Sequence, residues 1–340
     1  MSESRVEAIR WDRDGLELLD QRLLPAQERW LKIGSAAEAA EAIRNLVVRG
    51  APAIGITAAY AAVLAARERG SDLAGWLKDL EMLTAARPTA VNLFWAVERM
   101  RRQAGKDLAA ALPALEKLAE TIHAGDIAAN QAMAAVGAER IEPGSGVLTH
   151  CNTGSLATGG TGTALGVIVQ AWREGRVREV FASETRPWFQ GSRLTAWECS
   201  RERVPCKVLV EGAAASLFQA GRIDWVITGA DRIAANGDVA NKVGTLMLAV
   251  LARQFGARMM VVAPVSTVDL NMPSGDRIKI EKRDEAEIWR AAGMDRAPEG
   301  VGGYNPVFDI TPAALIDVIV TEKGVLEPPF EASLGELRVA

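Results

Sequence analysis

From Pro143 onward, apolar runs of strand length alternate with helical stretches, and this alternation limits the fold more than any other feature of the chain. The apolar runs lie at 146–149, 179–183, 206–211, 225–228, 259–263 and 318–321. Helical patterns fall between them, at about 163–174, 192–201, 214–220 and 243–255. Runs that are apolar throughout bury both faces, as parallel strands do when helices cover them on each side. The spacing therefore predicts a mainly parallel sheet, and ligands on such sheets sit at the carboxyl ends of strands. Cys151, Glu184 and Gly229-Ala230-Asp231 all fall there.

The first third reads differently. Residues 4–33 alternate loosely, with turns at 12–15 and near Pro25, and predict a small antiparallel sheet. Helices follow over 35–49, 54–68, 73–83, 92–103 and 114–137. Ser35 caps the first, whose apolar positions are Ala39, Ile43 and Leu46. The breaks are Arg49-Gly50-Ala51-Pro52, Gly70-Ser71 and Arg87-Pro88-Thr89.

A chain of 340 residues with 49% apolar side chains can bury two cores. With 39 basic against 43 acidic residues it has no field for nucleic acid. No apolar run approaches the roughly 20 residues that cross a bilayer, and the first residues lack an apolar signal core. A cytoplasmic protein without membrane partners is expected. Three cysteines, an odd number, argue against a disulfide framework. Two histidines leave metal sites and hydrolytic triads poorly supplied. Aspartate, cysteine, lysine and arginine are left to carry the chemistry.

The run 146–149 ends in Cys151 and then in a loop, Thr158-Gly159-Gly160-Thr161-Gly162-Thr163, that opens a helix. Such a loop suits an anion, through backbone N–H groups at a helix start, and it equally suits a tight strand-to-helix turn. Gly160, Gly162 and Gly166 imitate a dinucleotide fingerprint, but the last spacing is one residue too long and the loop is too long for the tight first turn. Cys199 and Cys206 read as small core residues. Cys151 differs because it ends a strand beside a helix N-terminus, which favours thiolate. Asp231 follows an apolar strand and reads either as a cap or partner of Arg232, or as an acid in a partly apolar cleft. Asn241 and Lys242 read as the opening of a helix, where a lysine opposes the dipole unless an anion is near. Arg49, Arg87 and Arg186 stand beside prolines or glycines and have the planar fork that suits phosphate, while each taken alone reads as a solvated or structural charge. His150 faces away from Cys151 if the strand is regular and reads as structural. His123 reads as a surface or packing residue of its helix.

Taken together, these segments resemble the methylthioribose-1-phosphate isomerase family of methionine salvage. The resemblance is carried by Arg49-Gly50-Ala51-Pro52-Ala53-Ile54-Gly55, Thr149-His150-Cys151-Asn152-Thr153-Gly154, Glu184-Thr185-Arg186-Pro187, Gln190-Gly191, Gly229-Ala230-Asp231-Arg232, Asn236-Gly237-Asp238, Asn241-Lys242 and Tyr304-Asn305-Pro306 through Asp309-Ile310-Thr311-Pro312. The wider superfamily includes ribose-1,5-bisphosphate isomerases and regulatory subunits of a translation-initiation exchange factor.

The resemblance implies an α/β chain: a mostly helical domain with a short antiparallel sheet over 1–125, a linking helix over 126–142, and a Rossmann-like catalytic domain over 143–340, in a homodimer. It implies that Cys151 and Asp231 are the catalytic pair and that Arg49, Gly50, Ala51, Arg87, Gln190, Asn241 and Lys242 surround a sugar phosphate. No metal or organic cofactor is implied. Thr161 stands where the family commonly has an aromatic residue, Trp188-Phe189 where it is aliphatic, and Lys279 where it often has proline. These departures spare the chemistry and leave open the substituent on sugar carbon 5, including a 5-deoxy sugar. Two alternatives stay open. A ribose-1,5-bisphosphate isomerase would need a second cationic pocket. A non-catalytic regulatory subunit that senses a sugar phosphate would have no use for Cys151 and Asp231.

Overall fold

The structure is a computed structural model that describes residues 6–12, 15–88, 90–291 and 293–337. The start of the expected first sheet, the tip of its first turn at 13–14, and Thr89 in the expected break lie outside the described residues. The chain divides into two compact units.

The first unit comprises residues up to Gln131 together with the loop Gly154–Gly162. It opens with an antiparallel sheet, β1 (Ile9–Asp12), β2 (Gly15–Leu19) and β3 (Trp30–Ile33), as the loose alternation predicts. Helices α1 (Ala36–Arg44), α2 (Ala51–Arg69), α3 (Leu73–Ala85) and α4 (Val91–Ala104) follow. The long α5 (Leu108–Glu139) carries Pro113 inside it and begins six residues ahead of the expected start. Ser35 caps α1 by accepting the Glu38 N–H, as expected. That helix stops at Arg44, short of the expected 49: Leu46 turns left-handed (φ 61°), and the Leu46 and Val47 N–H groups close onto Ile43 O and Ala42 O. This is a Schellman stop built without glycine, which is why periodicity alone overran it. In α2 every residue from Ala53 to Ala66 is buried, so it is the central helix of this unit.

The second unit is built on a sheet of seven strands. In chain order its elements are β4 (Ser145–Thr149), α6 (Ala164–Arg173), β5 (Val177–Ser183), α7 (Ala196–Arg201), β6 (Cys206–Leu209), α8 (Ala214–Gln219), β7 (Trp225–Thr228), β8 (Arg232–Ala234), β9 (Val239–Lys242), α9 (Thr245–Phe255), β10 (Arg258–Val262), β11 (Val268–Asp269), α10 (Ala286–Ala291), β12 (Phe308–Thr311), β13 (Val318–Thr321), β14 (Gly324–Leu326) and α11 (Phe330–Glu336). The large sheet runs β14-β13-β10-β7-β4-β5-β6, parallel except for the β13–β14 edge pair. Successive residues of one strand enter different cores. Trp225 and Ile227 join one with α5 and α6, whereas Val226 joins the other with α8 and α9. Burial on both faces explains the unbroken apolar runs.

A second sheet of four strands, ordered β11-β8-β9-β12, was not legible in the hydrophobic pattern. Its strands are short and rich in polar residues, and the Asn236-Gly237-Asp238 turn inside it reads as loop. The sheet corrects one expectation. Asn241 and Lys242 lie on β9, and helix α9 opens only at Thr245, behind Gly244. Lys242 therefore stands on a strand, not at a helix N-terminus, and the helix dipole gives no reason for an anion beside it.

Candidate active site

Strand β4 sits between β7 and β5. The chain leaves β4 for β5 and β6 on one side, then returns to β7 on the other. In doubly wound sheets this reversal opens a crevice beyond the carboxyl ends of the two strands. Cys151 follows β4 and Asp231 follows β7, and the pairing Thr149↔Ile227 puts these two strand ends side by side.

Cys151 is held in an unusual state. Its backbone is left-handed, φ 64°, although it is neither glycine nor asparagine. Thr185 and Phe189 share this property, at φ 62° and 56°. Such conformations cost about 1–3 kcal/mol each, and neighbours must enforce them. Here Thr185 Oγ1 accepts the Cys151 N–H at 2.9 Å, and Thr195 Oγ1 donates to Cys151 O at 2.7 Å. Thr195 ends a wide π-type turn over Gly191–Thr195, a backbone feature frequent at functional sites. The buried Asn152 donates to buried Glu198 at 2.7 Å, tying the residue after the thiol to α7. The thiol is only 7% exposed, and Gln190 Nε2 donates toward its Sγ at 3.7 Å. Gln190 is itself 5% exposed, and its Oε1 has no protein partner.

Asp231 is half-buried, with its N–H donating to Ala240 O at 2.9 Å. Arg232 pairs with Asp269 at 3.5 Å. Asn241 is buried on β9 and donates to Thr245 Oγ1 at 3.0 Å. The Lys242 ammonium lies 4.8 Å from the centre of the Phe308 ring. Asp309, on the paired strand, accepts the Gly244 and Leu246 N–H groups at the start of α9, and burial lifts its carboxyl to about 6. His150 is fully buried with Nε2 on Val243 O at 2.9 Å, and burial pushes it down to about 4, so the neutral ring is a structural strut as expected. Arg186 and Arg193 cover the rings of Phe189 and Trp188.

In the first unit, Arg49 and Gly50 lead into α2, and Pro52 sits in its first turn. Gly50 has φ 92°, and an added Cβ would lie 2.6 Å from Ala157 of the glycine loop, so only glycine allows this approach. The structure thus brings Arg49-Gly50-Ala51 against that loop. Arg87 stands, half-buried, in the break between α3 and α4. The loop departs from a ring of free N–H groups. Those of Ala157 and Thr158 close on Gly154 O and Ser155 O, and that of Gly159 donates to Asp126 at 2.7 Å. His123 Nε2 meets Gly159 O at 2.7 Å, which gives this histidine a definite task that its helical position did not signal. Thr185, Thr195, Glu198 and Asp126 were likewise missed as site supports, because each acts through contacts distant in sequence. Among the described residues, no group of three or more His, Cys, Asp or Glu is placed to hold a metal ion. No helix there is long and apolar enough to cross a membrane.

The family model of the initiation factor 2 subunit family matches residues 47–328. A methylthioribose-1-phosphate isomerase of Thioalkalivibrio sulfidiphilus is 56% identical over 337 residues, covering 98% of this chain and 97% of that protein. The chain belongs to the methylthioribose-1-phosphate isomerase family. The crystal structure of a 5-methylthioribose 1-phosphate isomerase from Pyrococcus horikoshii superposes with a TM-score of 0.91 at 40% identity, covering 99% of this chain and 96% of that one. A translation initiation factor eIF-2B delta subunit from A. fulgidus gives 0.86 at 38% identity, covering 98% and 100%. Family membership accounts for the matched motifs, which run from Arg49 to Pro312 and lie wholly within the region of the family model.

Proposed function

We propose that this protein converts 5-methylthioribose 1-phosphate to 5-methylthioribulose 1-phosphate in methionine salvage, with Cys151 and Asp231 as its acid–base pair. The observation that carries the reading is a strained, nearly buried thiol just after β4 and a half-buried carboxyl just after β7, beyond adjacent strand ends of the switch point. The relatives of that name supply the reaction. In the sugar, phosphate occupies the oxygen on carbon 1, so the ring cannot open through a free hydroxyl. Asp231, protonated, donates to the ring oxygen as the bond to carbon 1 breaks. Hydrogen then passes from carbon 2 to carbon 1, and the hydroxyl on carbon 2 loses its proton to become the ketone. Cys151 serves the proton transfer, whether the carbon-bound hydrogen moves as hydride or through an enediol. A water-poor cleft helps both routes by favouring the neutral acid and sheltering the intermediate.

Arg49, Gly50, Ala51, Arg87, Gln190, Asn241 and Lys242, with the glycine loop, are the groups we assign to the sugar phosphate. A homodimer and turnover of 5-deoxyribose 1-phosphate are part of the same reading. The deciding experiment follows the carbon-2 ketone resonance in carbon-13-labelled substrate, side by side for the 5-methylthio, 5-deoxy and 5-phospho sugars. Ketone from the 5-methylthio sugar is the expected result. Ketone from the bisphosphate alone, or from none of them, overturns the reading.

A further inference from the structure

Helix α5 presents His123, Asp126 and Asn130 at spacings of three and four, which puts them on one face. The first two meet Gly159, and the third braces the second. His123 Nε2 lies 2.7 Å from Gly159 O, and Asp126 Oδ2 accepts the Gly159 N–H at 2.7 Å. Buried Asn130 donates to that same Oδ2 at 3.0 Å. A carbonyl only accepts, so His123 carries its proton on Nε2 and presents Nδ1 as an acceptor. Nδ1 meets the Tyr60 hydroxyl at 3.0 Å, and Tyr60, buried in α2, stacks on Trp11 with ring centres 4.6 Å apart. Both polar ends of one residue are thus gripped, and an added Cβ on Gly159 would lie 2.7 Å from the His123 ring.

We infer that Tyr60, His123 and Asp126 form a clamp that positions the glycine loop for phosphate capture, so that His123 is a positioning residue for substrate binding rather than a packing residue. Tyr60 sets the tautomer, and His123 and Asp126 fix the Gly159 peptide and with it the course of the loop on either side. An ordered loop binds without the cost of ordering it afterwards. The inference rests on the assignment of this loop to the sugar phosphate.

The test compares the full-length protein with His123→Ala and His123→Gln, the latter retaining an amide that donates to Gly159 O. Three quantities are read: hydrogen exchange over 154–162, the calorimetric dissociation constant of inorganic phosphate, and KM against kcat for the sugar phosphate. In His123→Ala the loop exchanges about tenfold faster, and KM and the phosphate constant rise about tenfold, the worth of one hydrogen bond to a fixed group, with kcat within about threefold. His123→Gln restores most of both. Unchanged loop exchange in His123→Ala overturns the clamp while leaving the phosphate assignment standing. Faster exchange with unchanged KM and unchanged phosphate affinity overturns the positioning role and the loop assignment with it. Should His123→Ala fail to fold, Tyr60→Phe removes only the hydroxyl that sets the tautomer; faster loop exchange with a raised KM supports the clamp, and no change in either overturns it.

Discussion

The side-chain amide of Gln190 donates toward the sulfur of Cys151 across 3.7 Å, while the amide oxygen at its other end is buried without a protein partner. A buried unpaired oxygen costs about 1–3 kcal/mol, so this residue trades stability for a poised group. Replacing it with an apolar residue of similar volume separates the two. Gln190→Leu lowers kcat/KM at least about tenfold, the equivalent of one hydrogen bond, while the thermal midpoint stays level or rises. A variant that loses stability and keeps its turnover contradicts this role.

Asp231→Asn keeps the shape of the side chain and removes its acidic proton. Turnover drops by at least about 10²-fold, the usual worth of a general acid, while substrate still binds. Equilibrium dialysis with the sugar phosphate and the ketone assay report the two halves separately, and near-normal turnover would remove Asp231 from the mechanism.

His150 titrates near 4 in the folded chain against 6.5 when exposed, because burial disfavours its cation. The unfolded chain takes the proton first, so this group's stabilising contribution is whole above the unfolded value and drains as pH falls from 6.5 towards 4. The full difference is worth about 3 kcal/mol. The stability gap between wild type and His150→Asn, from urea unfolding, therefore narrows as pH drops from 7 to about 4. A gap that is constant across that window would mean that the ring takes its proton as readily in the fold as in the unfolded chain.

Asp309 works in the opposite sense. Burial raises its carboxyl from 3.8 to about 6, so the fold favours the protonated acid, and stability from this group declines as pH rises through that interval. The advantage of wild type over Asp309→Asn grows on acidification from about pH 6 to pH 4. In that range the two groups oppose each other, so the pH dependence of the wild type alone understates both. Parallel urea titrations of the two single variants resolve them, and a shared sign of slope would refute the assignment.

Gly191 opens the π-type turn, and a Cβ there would lie 1.6 Å from Ser183 O. Backbone cannot yield as a flexible side chain does, so Gly191→Ala costs about 3 kcal/mol or more and disturbs the turn that ends in Thr195. Calorimetric unfolding together with the ketone assay should show both losses. An unperturbed melting profile would show that the turn yields.

Much of the site was legible because its groups stand at punctuation. Cys151 ends an apolar run, Asp231 follows another, and Arg49-Gly50-Ala51 interrupts a helical pattern. What periodicity could not carry was anything built from short polar strands. Asn241 and Lys242 read as a helix start because β9 has only four residues, and its partners β8 and β12 come from segments far apart along the chain. The stop of α1 at Leu46 was hidden for a related reason, since it depends on a left-handed leucine where glycine would have announced it.

Local pattern determined the kinds of element, the doubly buried strands and the small set of groups able to do chemistry, because burial and backbone preference act over a few neighbouring residues. Tertiary structure alone decided that β4 lies beside β7, that Thr185 and Thr195 hold Cys151 in its left-handed state, and that His123 and Asp126 close on Gly159. Those relations join residues dozens of positions apart, and only the three-dimensional course of the chain brings such donors and acceptors within hydrogen-bonding distance.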